Sequence, residues 1–189
     1  STFGTLLLTG ANVAVTDAGA VDLGASTVSG TLGITSAGAV TDSGTLAITG
    51  ATTISASGQD ITLDQGASTF GTLSLTGVNV AVTDAGATDL GASTVSGTLG
   101  ITSGGAVTDS GTLAVTGATT ISASGQDITL DQAASTFGTL LLTGANVAVT
   151  DAGAVDLGAS TVGGTLGITS AGAVTDSGTL AVTGATTIS

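Results

Sequence analysis

The string STFGTLLLTG opens the chain at Ser1, returns as STFGTLSLTG at Ser68, and returns again at Ser135, a 67-residue period both times. The first two copies, 1–67 and 68–134, differ at six positions: Leu7/Ser74, Ala11/Val78, Val21/Thr88, Ala37/Gly104, Ile48/Val115 and Gly66/Ala133. The third copy, 135–189, is cut short of a full period. A chain that repeats this closely must give every copy nearly the same neighbours, which confines it to solenoids and similar arrays. No linker or composition shift separates the copies, so one continuous array is expected rather than three domains. The chain begins and ends inside the repeat and reads as a segment of a longer protein, whose targeting signals would lie outside it.

A weaker echo runs inside each copy. GTLLLTGANVAVTD begins at Gly4, AGAVDLGASTVS at Ala18, GTLGITSAGAVTDS at Gly30, GTLAITGATTISAS at Gly44 and GQDITLDQGASTF at Gly58. Apolar residues within these pieces are spaced by two: Leu6 and Leu8, Val13 and Val15, Leu32 and Ile34, Leu46 and Ile48, Ile61 and Leu63. Period two puts both members of a pair on one face of a strand. Helical spacing is not sustained, and strings such as ATTIS and GTLGITS combine β-branched residues with glycine, which disfavours helix. Differences between copies bear on facing. Leu7 becomes Ser74 between two retained leucines, and Val21 becomes Thr88; positions that accept serine or threonine are expected to point outward. Asp-Ala-Gly and Asp-Ser-Gly triplets mark corners, where glycine can take positive φ and Asp can cap the turn.

Short strands, frequent corners and a long period predict an all-β fold, a parallel β-solenoid forming an elongated rod of 67-residue repeats. Three coils of about 22 residues fit the period, and so do five of about 13. The larger coil is the working expectation.

Composition removes several functions. There is no Lys, Arg or His, and thirteen aspartates give a formal charge of −13. Nucleic-acid binding draws its affinity from Lys and Arg against phosphates, and an anionic membrane surface would repel this chain. No stretch approaches the length of apolar sequence that a membrane-spanning helix needs. Without cysteine there is neither a disulfide framework nor a thiolate metal site.

Catalysis finds little to work with. Asp is the sole candidate for general acid–base chemistry, and a serine nucleophile has no His or Lys partner. The nearby pairs Asp17/Asp22 and Asp60/Asp64 recur with the repeat, as a lattice feature would, and no enzyme is expected. Two readings stand for the carboxylates as a set. Asp17, Asp22, Asp42, Asp60 and Asp64 recur as Asp84, Asp89, Asp109, Asp127 and Asp131, and three recur again as Asp151, Asp156 and Asp176. They could cap turns and keep the rod soluble. They could also supply hard oxygen ligands to Ca2+, which would relieve their mutual repulsion, although no calcium-roll motif is present. No other cofactor is expected. Asn12, Asn79 and Asn146 read as stacking or turn amides, and Phe3, Phe70 and Phe137 as core or corner fillers, the alternative for the latter being an exposed aromatic row that contacts sugars. No Thr-x-Thr occurs, which weighs against ice binding.

The strings DITLDQGASTFGTLSLTG, VAVTDAGA, DLGASTVSGTLGITSAGAVTDSGTLAVTG and ATTISASG resemble the β-strand repeats of giant bacterial surface exoproteins, the filamentous-haemagglutinin-like adhesins. The resemblance spans the chain and implies a right-handed β-helix shaft, export to the bacterial cell surface, and a role in attachment, aggregation or a fibrous coat. On this basis the expected function is a structural extracellular fibre or stalk, with an adhesin shaft as the alternative. The expected partners are copies of itself, end to end or lateral, or a cell-surface or glycan ligand.

Overall fold

A computed structural model describes residues 1–189 in full. Every strand pairing is parallel, and the chain winds as a β-solenoid of about ten turns. Two ladders of ten rungs each run its length. Side 1 begins Thr5–Leu6, Val21–Leu23, Val40–Asp42 and Ile61–Leu63; side 2 begins Val13–Asp17, Leu32–Ser36 and Thr52–Ser55. Between them lies one core of 38 buried residues, nearly all Val, Leu and Ile. With rungs about 4.8 Å apart, ten rungs make a rod roughly 43 Å long.

The coil size differs from both sequence expectations. Thr5 pairs with Asp22, Asp22 with Thr41 and Thr41 with Thr62, steps of 17, 19 and 21 residues, so the coils are shorter than the larger expectation and longer than the smaller. Both expectations assumed that a repeat holds a whole number of coils. It holds three and a half. The strand Val13–Asp17 lies on side 2, its copy Val80–Asp84 on side 1, and its next copy Val147–Asp151 on side 2 again. Successive repeats are therefore related by a half-turn about the rod axis, and only alternate repeats present the same side.

Within a repeat the two sides differ. One carries four long rungs, most of them two short strands that meet at a bend, as in Val21–Leu23 followed by Ser26–Val28, the fourth being Ile61–Leu63 with a single bridge at Thr69. The other carries three short rungs of one strand each, Val13–Asp17, Leu32–Ser36 and Thr52–Ser55. The half-turn exchanges long and short at every repeat, so that from Thr72–Gly77 to Ile128–Leu130 the long rungs occupy side 2.

Strand facing follows the period-two rule. Ile34, Leu46, Ile61, Leu73 and Leu75 are buried, and Leu7 is 72% exposed. The expectation for Val21 and Thr88 is corrected: both are 1% exposed and point into the core. Valine and threonine have nearly the same shape, and the Thr88 hydroxyl is satisfied by donating to Ser103 Oγ at 3.0 Å. Acceptance of threonine therefore does not mark an outward position when an internal acceptor is at hand.

Corner glycines also work differently from expectation. Only Gly58 and Gly125 have positive φ. Most of the others are required by coil-to-coil contact. A Cβ at Gly44 would lie 2.2 Å from the amide nitrogen of Ala25 in the coil below, and at its copies Gly111 and Gly178 it would lie 2.1 Å from those of Ala92 and Ala159.

Two inward hydroxyls have no partner, Thr52 Oγ1 and Thr119 Oγ1. Thr119 is 0% exposed and sits in register between Leu99 and Leu140. Valine has the same shape without the stranded donor, so Thr119→Val is expected to raise stability by about 1 kcal/mol, read as a shift in denaturation midpoint at unchanged m-value. A loss of stability would mean that the hydroxyl has a partner in solution.

Candidate functional site

The thirteen aspartates fall into five positions of the lattice. Asp17, Asp84 and Asp151 end short strands at a buried corner, each 2% exposed. Asp17 Oδ1 accepts the Gly19 amide at 2.8 Å, and its Oδ2 accepts the Phe3 amide at 2.8 Å. Asp151 binds the Gly153 and Phe137 amides in the same way, and Asp84 those of Gly86 and Phe70. One carboxylate thus closes its own turn and anchors the entry of another rung.

Asp42 and Asp109 cap the bend of the long side. Asp42 accepts the Asp64 amide at 2.9 Å from the coil above, and Asp109 accepts that of Asp131 at 2.8 Å. Their copy Asp176 lies on the last rung and is exposed. Burial raises the pKa of Asp42, Asp84 and Asp109.

Asp22, Asp89 and Asp156 stand on the flat of the long side. Each accepts a threonine hydroxyl from the rung below and a serine hydroxyl from the rung above. For Asp22 the donors are Thr5 and Ser43, both at 2.7 Å. For Asp89 they are Thr72 and Ser110, and for Asp156 Thr139 and Ser177. These bonds favour the charged form and lower the pKa of Asp22 and Asp156.

Asp60 and Asp127 are exposed at an edge. Asp60 Oδ1 accepts both the backbone amide and the Nδ2 of Asn79 at 3.0 Å, and Asp127 holds Asn146 likewise. Asn79 Oδ1 in turn accepts the Thr98 amide at 3.1 Å, so the asparagines are stacking amides that tie three coils together. Asp64 and Asp131 are exposed, with Gln65 and Gln132 Nε2 at 3.4 Å.

No three carboxylates converge on a point that could hold a metal ion. The lattice gives the reason. Carboxylates of adjacent coils come together in pairs, Asp42 with Asp64 and Asp109 with Asp131, and the copy of each lies half a turn away on the other side. Copies on the same side are seven rungs apart, about 34 Å, several times the Debye length of about 8 Å in physiological salt.

The five pKa shifts define a pH dependence. A raised pKa contributes stability that is complete below the ordinary value of 3.8 and is lost as pH rises through the folded value. A lowered pKa contributes stability present above 3.8 and lost as pH falls through the folded value. Relief of self-repulsion at a charge of −13 acts in the first direction. Stability is therefore expected to rise on acidification from neutral pH and to peak near 3.8. Urea unfolding across pH 7 to 3 checks this, and a steady fall toward acid would refute it.

Serines form a second set of caps that sequence reasoning passed over. Ser26 Oγ accepts the Leu8 amide at 2.9 Å and donates to Gly24 O at 2.7 Å. Ser68 Oγ accepts the Leu46 amide at 3.0 Å, and Ser36 Oγ donates between Gly19 O and Gly38 O. All lie beside glycine corners, and their unchanged recurrence at 93, 135 and 103 was the available signal. Phe70 and Phe137 are 7% and 6% exposed, and Phe3 is exposed on the first rung. The two buried rings are corner fillers and form no outward aromatic row.

Parallel ladders of near-identical coils, with carboxylates and serines spent on joining one coil to the next, define the chain as a β-solenoid repeat protein. Its family model matches residues 10–76, 77–143 and 144–189, the first two each one full period, and the chain belongs to that family, described as repeats of unknown function (DUF5649). No curated protein and no solved structure matches the chain.

Proposed function

We propose that this chain is a length-giving element of an extracellular fibre or surface stalk, of the kind its resemblance to bacterial surface exoproteins implies. The observation that supports this best is the pair of ten-rung ladders with no insertion, in which most of the recurring aspartates, the asparagines and the cap serines bond to the coil above or below. A rod built this way gains length by adding repeats, each bringing its own core and caps. Trypsin has no site in it, since Lys and Arg are absent.

The test is electron microscopy of the native full-length protein at the surface of the cells that make it, with antibody against this segment. Extended rods with a layer line near 4.8 Å, decorated along their length outside the cell, are the expected result. Antibody confined to the cytoplasm, or compact particles lacking that spacing, would overturn the proposal. In the adhesin-shaft alternative the rods end in a distinct head that binds cells or glycans.

A further inference from the structure

We infer that the flat sides of the rod bind a second copy of the chain, side 1 of one copy against side 2 of the next in parallel orientation, so that copies stack laterally without limit. The inference rests on the structural reading above and deepens it by naming the partner and the surface.

The three short rungs carry no charge on their outward positions. On side 1 they show Ala81, Thr83, Gly100, Thr102, Thr120 and Ser122. The hydroxyls of Thr83, Thr102 and Ser122 form a rank along the axis, and none is engaged within the chain. A shallow groove crosses this patch, lined by Ala81, Gly100 and Thr120 together with Asp60 and Asn79. The long rungs, in contrast, carry Asp22 and Asp64 or their copies.

The half-turn between repeats makes the two sides complementary. Where side 1 is long and acidic, side 2 at the same level is short and uncharged, and the reverse holds one repeat later. Two parallel copies placed side 1 to side 2 without axial shift bring each carboxylate stretch against a short-rung stretch whose outward hydroxyls can donate to it, Thr169 and Ser189 in the third repeat being bonded to each other. Side 1 against side 1 would place Asp22 and Asp156 stretches over their own kind. The surface is also large enough. Ten rungs of about 4.8 Å and strands about 15 Å across give roughly 650 Å² per side, close to the ~800 Å² per partner of a stable interface. Each copy keeps one side free after pairing, so the contact is heterologous and does not close.

Charge opposes assembly at low salt, so the test is sedimentation of the whole chain in a salt series up to about 1 M, where the Debye length is about 3 Å, with the variants compared at the lowest salt at which the wild type assembles. Thr102 is exposed and unpartnered, and in the stack it meets the stretch bearing Asp89 and Asp131. T102E should weaken association about fivefold and T102K strengthen it about fivefold. S124K, at an exposed edge turn, makes the same charge change as T102K and should leave association as in the wild type. Circular dichroism of each variant shows that the rod is intact. A monomeric wild type, assembly that stops at a dimer, a T102K that weakens association as T102E does, or a T102K matched by S124K would each overturn the stacking. A monomer that still shows the rung spacing of about 4.8 Å would leave the rod itself standing.

Discussion

Gly111→Ala is expected to destabilise the rod by about 3 kcal/mol, whereas Gly66→Ala should change stability by less than about 0.5 kcal/mol. Both add one methyl group at a corner. At Gly111 that methyl would stand 2.1 Å from the Ala92 amide nitrogen, and 2.7 Å from the Gly91 carbonyl carbon, so it meets the backbone of the coil below rather than a side chain that could swing away. The coils would have to separate there. The Gly111 amide donates to Leu90 O at 3.2 Å and the Ser110 amide to the same oxygen at 2.9 Å, and both bonds would lengthen. Gly66 has nothing within 4 Å of its missing Cβ, and the second repeat already carries Ala133 there. The comparison is made by chemical denaturation of the two variants. Equal effects would show that corner glycines act through chain entropy and not through contact.

Ile121→Ala should cost about 3–4 kcal/mol, within the range for buried aliphatic truncation. Ile121 is fully buried and lies in register between Ile101 and Leu142, part of the aliphatic column Leu63, Val82, Ile101, Ile121 and Leu142 on side 1. The rungs above and below are held by their own ladders and cannot collapse into the space. Two residues earlier on the same strand, Thr119→Val is expected to stabilise. Opposite signs at adjacent inward positions of one strand would show that the core seeks apolar volume throughout. If Ile121→Ala cost less than about 1 kcal/mol, the rungs would be free to close over the missing side chain, against the close packing of the ladders.

Strand facing was legible because it is local. Alternation at Leu6/Leu8 or Ile61/Leu63 reports directly which side chains share a face, and the buried positions agree. The exception, Val21/Thr88, failed because the decisive fact is the Ser103 hydroxyl one coil away. The carboxylates were legible as turn caps in type but not in partner. That Asp17 serves Gly19 is visible in Asp-Ala-Gly; that it also serves the distant Phe3 is not.

By itself the sequence determined the solenoid class, the repeat unit and its inward faces, because period-two patterning and near-identity of copies act through neighbouring residues. Tertiary structure alone decided the coil. The period states how often the pattern recurs, not how many turns are made in between. The number of turns depends on where each corner sets the next strand down, through contacts such as Asp42 with Asp64 and Gly44 over Ala25 that join residues about a coil apart. Those contacts close the repeat after three and a half turns, and from that half-turn follow the exchange of sides and the separation of equivalent carboxylates.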